Sequence, residues 1–318
     1  MSTQSRLLRG GARAAVGLIV VGVAASALLL LNSATLPAIV KEPLAITVDT
    51  TLDTSRTLVC AGSFAELGAD PSRPGVAIPT GAPAVAIAGT AETSSELTRV
   101  ESGDGLPVVL TAPADEPLAA AQIQDVATES LRGTAASSCT EPVNEQWLLG
   151  GATTLGVSTT LSLANPGKVP ATVQIAIYDE NGPVDAVQTS GVLVAPGEEQ
   201  IVSLNGYAPE RERLAVQVVS TGAPVSATLG VGEVSGIRPF AVSSVTRQLE
   251  PATTLVVPGV TNVNTDTHEH TDNVVENDEF PVALRAFAPG GENATATVRA
   301  IDKNGNSTDL GEIVLSAN

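Results

Sequence analysis

The chain has 318 residues, with 16 Lys and Arg against 34 Asp and Glu, a formal net charge of −18, and only seven aromatic residues. That balance excludes a nucleic-acid binder, which needs clustered cations to displace counterions from phosphates, and lysine stands only at Lys41, Lys168 and Lys303. Scarce aromatics argue against base-stacking platforms and aromatic-lined pockets, and a histidine-based triad would have to use His268 or His270.

Residues 1–13 are a basic stub carrying Arg6, Arg9 and Arg13, with no acidic residue before Glu42. Residues 14–31, AAVGLIVVGVAASALLLL, run without a charge, and as a helix they span about 27 Å, close to the hydrocarbon thickness of a bilayer. The arginines hold the N-terminus in the cytoplasm by the positive-inside rule. The expectation is a single-pass signal-anchor in the cell membrane, with the C-terminal ectodomain extracytoplasmic. A cleaved signal peptide is the competing reading: Ala25-Ser26-Ala27 has the small-x-small chemistry of a cleavage site, but Leu28–Leu31 carry the apolar run past it. Removing the three arginines from the 16 basic residues leaves 13 against 34 acidic ones, a net of −21 on the exported side.

After a linker at 32–43, residues 44–142 read as a first β module, with strands at 44–52, 57–62, 84–90 and 106–112. Its Cys60 pairs in expectation with Cys139, since two cysteines on the oxidising side of a membrane read as a disulfide. Glu116–Leu131 is Ala-rich and fits a helix or an alternating strand, and the pattern leaves both open. Residues 143–250 read as a second β-sandwich, with short strands at 159–165, 171–179, 190–195, 199–205, 213–220 and 225–232. Asn165-Pro166-Gly167, Asn181-Gly182-Pro183 and Ala195-Pro196-Gly197 supply the turns. Residues 251–318 hold an acidic loop at 261–279 and further strands. The fold class expected is all-β: one N-terminal transmembrane helix followed by two Ig-like or β-sandwich modules.

An internal repeat joins the last two regions. Residues 159–182 align without gaps to 282–305 at an offset of 123, with eight identities in 24 positions, among them Pro166/Pro289, Asp179/Asp302, Asn181/Asn304 and Gly182/Gly305. The expected common unit is a hairpin, two strands joined by a Pro-Gly turn, followed by an Asn-Gly turn. About 65 residues are too few for a full sandwich, so 251–318 is expected to complete the 44–142 module.

The run from Cys139 through Trp147-Leu148-Leu149-Gly150-Gly151-Ala152-Thr153-Thr154, the Asn165-Pro166 turn with Ala171-Thr172-Val173, and Val256-Val257-Pro258-Gly259-Val260 resemble a group of actinobacterial membrane-anchored extracytoplasmic proteins. That group is classed only as a domain of unknown function. The resemblance covers most of the chain and implies a cell-envelope protein; it brings no activity, substrate or catalytic residue.

Candidate sites are few. Asp266, His268, His270 and Asp272 recur every second residue in the acidic loop, where an extended strand would bring oxygen and imidazole ligands to one face for a divalent cation; a solvated acidic loop is the plainer reading. Trp147 reads as a core residue, with sugar stacking as the alternative. Glu198-Glu199 and Asp278-Glu279 read as exposed turn acids rather than a glycosidase pair. No nucleophile elbow is present, so catalytic residues and cofactors are both expected to be none. The function expected is a non-catalytic cell-envelope scaffold or binding module, partnered by the membrane through its one helix and by an envelope protein or wall polymer. An accessory subunit of envelope glycan or polymer assembly is the alternative, and a metal-binding or hydrolytic ectodomain comes third.

Overall fold

The computed structural model describes residues 55–316, apart from 68, 74–75, 100–103, 186–189, 237, 249, 261–282 and 290–292. The apolar stretch 14–31 and its three arginines lie outside the described residues, among which no helix is long and apolar enough to cross a membrane. The described chain is almost all β. Its strands are β1 (Ser55–Cys60), β2 (Ala65–Leu67), β3 (Ala77–Pro79), β4 (Ala84–Gly89), β5 (Thr93–Glu96), β6 (Thr98–Arg99), β7 (Val108–Pro113), β8 (Leu118–Ala127), β9 (Arg132–Ser138) and β10 (Glu145–Leu149). They continue as β11 (Val157–Asn165), β12 (Ala171–Asp179), β13 (Gly182–Pro183), β14 (Ser190–Val194) and β15 (Glu198–Ser203), then one helical turn α1 (Leu204–Tyr207). The last five are β16 (Ala215–Gly222), β17 (Ser226–Ser235), β18 (Arg238–Thr246), β19 (Ala294–Ile301) and β20 (Ser307–Leu315).

Two sheets share the largest core. One runs β18-β17-β11-β15-β6; the other runs β10-β16-β12, with β13 and β14 also on β12. The alternation of β12 explains its place: Ala171, Val173, Ile175 and Ile177 are buried while Thr172 and Gln174 are exposed. Those side chains meet Leu161, Leu163 and Leu229 from β11 and β17, and Leu148 from β10. Gln146 ties the two sheets through polar atoms, donating to Val225 O at 2.9 Å and accepting from Ala227 N at 3.1 Å.

The first sheet is covered on its other face as well. Phe64, Val126, Leu131, Ala135 and Val242 form a second core there. The approach is possible because β17 places glycine on that face: a Cβ on Gly230 would lie 3.3 Å from the Phe64 ring, and one on Gly232 would lie 2.9 Å from Leu131 Cδ2.

The N-terminal strands build this cover. They form the sheets β1-β7-β5 and β4-β8-β9 and the pair β2-β3. The ambiguous stretch 116–131 is a strand, β8, paired with β4 and β9. Its inward face is apolar at the ends, Leu118 and Val126, and polar in the middle, where Gln122 and Gln124 are buried and Ile123 is 52% exposed. The two amides act as a substitute ladder for a segment that has no strand partner. Gln122 accepts from Gly62 N at 3.1 Å and donates to Gly62 O at 2.8 Å, and Gln124 accepts from Phe64 N at 2.7 Å and donates to Thr80 O. Cys60, at the end of β1, is disulfide-bonded to Cys139 just after β9, 79 residues apart. Both sulfurs sit in a small core with Leu58, Leu110, Ala112 and Leu118. In a chain-entropy account, closing a loop of that length stabilises by roughly 4–5 kcal/mol.

Two expectations need correction. The segments 159–165 and 171–179 do not form a hairpin: β11 and β12 belong to opposite sheets, because the Asn165-Pro166-Gly167 turn arches from one sheet to the other. Asn165 holds the arch, its Nδ2 donating to Val169 O and Val194 O at 2.9 and 3.1 Å and its Oδ1 accepting from Gly167 N at 2.9 Å. Nor do the C-terminal strands enter the sheets of 55–142; among the described residues β19 and β20 pair only with each other. The link between 55–142 and the later strands is instead β6, which crosses onto the edge strand β15.

Gly230→Val is expected to force Phe64 or Thr160 from its position and to cost about 1–3 kcal/mol, read as a fall of several degrees in Tm. A Tm equal to wild type would show that Phe64 does not rest on β17.

Candidate functional site

The seam between β6 and β15 carries the most unusual chemistry among the described residues. The strands pair in parallel over two positions, Glu198↔Thr98 and Glu199↔Arg99, and Thr98 N donates to Gly197 O at 2.9 Å. Arg99 Nε meets Glu199 Oε2 at 2.5 Å with both side chains 2% exposed or less. Ser162 Oγ of β11 donates to Glu199 Oε1, while both Nη atoms of Arg99 are buried without a hydrogen-bond partner. Burial pushes the Glu199 carboxyl above its usual value, an effect that the Arg99 charge and the Ser162 hydrogen bond offset only in part. Glu199 therefore corrects the expectation of an exposed turn acid: β15 continues past the turn, and its second residue points into the layer that β6 closes.

A cavity of about 30 Å³ adjoins the pair, lined by Ser63, Gln122, Gln124, Thr160, Ser162 and Glu199 among others. It has room for a water molecule or two and is some tenfold smaller than the roughly 300 Å³ at which small-molecule sites begin. The pair ties the N-terminal cover to the central sheet.

A second cluster lies on the outer face of the sheet β10-β16-β12. Since Leu148 of β10 takes the core side at 0% exposure, period-two alternation turns Trp147 outward, where it is half-buried. It meets Tyr178 of β12 with ring centroids 5.6 Å apart, and Phe287 packs on both at 5.1 Å. Arg285 Nη1 donates to Gly151 O at 2.8 Å and pins the same segment. Trp147 is thus not a residue of the core between the sheets, and three of seven aromatics that look scattered in sequence come together. Nearby, Asp179 Oδ2 accepts from Arg211 Nη1 at 2.8 Å and its Oδ1 from Asn181 N at 2.7 Å. The Gly150-Gly151-Ala152-Thr153 motif is structural: Thr153 Oγ1 donates to Ala208 O and accepts from Arg211 N at 3.0 Å, and a Cβ on Gly151, at φ +80°, would strike Thr159.

Of the other expected site residues, Cys60 and Cys139 are bonded as read. Asp266, His268, His270 and Asp272, with Asp278-Glu279, lie outside the described residues. Among those described, no group of three or more His, Cys, Asp or Glu is placed to hold a metal ion. The Arg99–Glu199 pair was missed because nothing local marks a partner 100 residues away.

The architecture is that of an all-β protein with layered sheets tied by one disulfide. The chain belongs to a family of unknown function, DUF5719, whose model matches residues 97–318, from just before β6 to the last residue. No curated protein and no solved structure is significantly similar to it.

Arg99→Met leaves Glu199 buried without its cation and is expected to cost about 3–5 kcal/mol at neutral pH, measured by urea unfolding. Arg99→Met with Glu199→Leu is expected to recover most of that loss; a double variant as weak as the single one would refute the assignment. Because the folded state holds the Glu199 proton more tightly than the unfolded chain, this group contributes most stability at acid pH. That contribution is lost as pH rises through the folded-state pKa. Glu199→Gln is expected to flatten that part of the stability profile.

Proposed function

We propose that this chain is a single-pass, N-in cell-envelope protein of a high-GC Gram-positive bacterium. Its acidic β ectodomain acts without catalysis as a scaffold or binding module. The observation that carries the reading is the Cys60–Cys139 disulfide, since structural disulfides belong to exported proteins, and the Arg-flanked apolar run 14–31 supplies a route across the membrane. An Ig-like character for 143–250 is supported by nine strands, β10 to β18, in two antiparallel sheets around one core.

The outer face of β10-β16-β12 is the surface we assign to binding. The half-buried Trp147, Tyr178 and Phe287 rings, with Gln217 on the same face, combine an apolar plate with a hydrogen-bonding group. That combination suits wall polymer better than nucleic acid, which an exported net charge of −21 would repel.

Protease added to intact cells is expected to degrade the C-terminal portion and spare an N-terminal tag. Purified wall material is expected to retain the protein, with Trp147→Ala weakening retention severalfold. A cytosolic, protease-resistant chain would sink the topology. Loss of retention in both proteins, with repeated co-purification of a glycosyltransferase from detergent extract, would move the assignment to an accessory subunit of polymer assembly.

A further inference from the structure

Of the three rings on the outer face of β10-β16-β12, two stand on strands and one does not. Trp147 and Tyr178 are held by β10 and β12, the strands that flank β16, with ring centroids 5.6 Å apart and planes tilted by 43°. Phe287 sits against both, 5.1 Å from each centroid, within the range at which aromatic rings attract one another. It comes from residues 283–289, which belong to no strand and, among the described residues, join no sheet.

The internal repeat shows how unusual that is for this segment. At the offset of 123, residues 282–288 correspond to 159–165, the body of β11. β11 is laddered on both edges, to β15 and β17, and its Leu161 is 0% exposed. The counterpart, Leu284, is 56% exposed. Side chains hold the segment instead: Phe287 lies on the two rings, and Arg285 Nη1 donates to Gly151 O at 2.8 Å. Neither is deeply covered, since Phe287 is half-buried and Arg285 exposed. A strap fastened by one ring and one exposed hydrogen bond, with no backbone ladder, lifts without disturbing the sheet beneath it.

We infer that residues 283–289 are a tethered occupant of the binding plate, which a sugar ring of the wall polymer displaces in order to bind. The inference rests on the reading of this face as the binding surface. Chemistry identifies the competitor. Phe287 and Arg285 together offer the plate a flat apolar ring and a hydrogen-bond donor, and a pyranose unit offers the same two things, a C–H face and hydroxyl or amide donors. The acceptor it takes over is Gly151 O, just past the end of β10, and Gln217, opposite Trp147 in the β10–β16 register, supplies a further polar group beside the ring. Because the strap is part of the same chain, it competes at a high effective concentration. The apparent affinity for polymer is then lowered by the fraction of molecules whose plate is free. Loss of the strap therefore tightens binding, whereas loss of a ring of the platform weakens it.

Trp147 is the single tryptophan of the chain, so tryptophan fluorescence of the full chain in mild detergent reads this site alone. Phe287→Ala and Arg285→Ala are each expected to raise acrylamide quenching of Trp147 and to shift its emission to the red. Leu284→Ala, on the exposed side of the segment, is expected to change neither. In cosedimentation with purified peptidoglycan, Phe287→Ala is expected to bind about three- to tenfold more tightly than wild type, as for a plate that is free in roughly a third to a tenth of molecules. Arg285→Ala is expected to move the same way. Quenching in Phe287→Ala equal to that of wild type overturns the proposal, and so does equal or weaker binding, which would make Phe287 part of the platform. Absence of retention in wild type and variants alike defeats the wall-polymer reading and the competition with it. The quenching measurement needs no polymer and still tells a docked strap from an open plate, so the two failures are distinguishable.

Discussion

The central sheet β18-β17-β11-β15-β6 is buried on both faces, and most of the architecture answers to that constraint. A strand covered on two sides cannot alternate apolar with charged residues. In β17 one side carries Ala227, Leu229 and Val231, and the other carries Ser226 and Thr228 and then only Gly230 and Gly232, so that Phe64 and Leu131 can approach. In β11 the side away from the larger core carries Thr160 and Ser162, small hydroxyls that satisfy themselves on Gly230 O and Glu199. A long polar side chain at these positions would hold the cover off, and a bulky apolar one would leave no room for it.

The same constraint explains the buried ion pair. Once the N-terminal strands close over the sheet, the edge of β15 needs a partner for its backbone groups, and the two residues of β6 supply one. Glu199 then sits beneath the cover, where an unpaired carboxylate would be costly. Arg99 arrives on the very strand that buries it. Charge and cover come as one piece, so β6 is both lid and counter-ion. The family match, which begins at residue 97, contains this strand together with the sheet it completes.

How much of this was legible depended on whether the signal was local. The β character, the short strands and the disulfide followed from alternation, turn residues and cysteine count, and β12 is placed as its pattern implies. The stretch left open between helix and strand had no local signal for its buried face: the Ala-Gln-Ile-Gln run of β8 buries its glutamines, because Gly62 and Phe64 need donors and acceptors that isoleucine lacks. Pairing failed at Asn165-Pro166-Gly167, where a turn suited to a hairpin instead carries the chain between sheets, a choice made by Asn165 binding Val194 O across the gap. The aromatic cluster failed for a related reason, since Trp147, Tyr178 and Phe287 are gathered by strand order and not by sequence distance. The candidate metal residues lie outside the described chain and bear on none of this.

The distribution of cations gives the acidity a structural meaning. With few basic residues, the protein ties several of them to its own groups: Arg99, buried under the cover, to Glu199, and at the surface Arg211 to Asp179, Arg285 to the Gly151 carbonyl and Arg56 to Glu141. Those guanidinium groups are committed to holding layers and segments together, so they do little to neutralise the remaining carboxylates, which stand largely solvated at the surface. A surface of one sign resists nonspecific contact with like-charged polymer and with other copies of itself. Association is then confined to the places where charge is absent. The half-buried aromatic plate around Trp147 is one such place, with flat rings beside hydrogen-bonding groups. The proposed binding role rests on that contrast between a surface of one sign and a neutral aromatic plate.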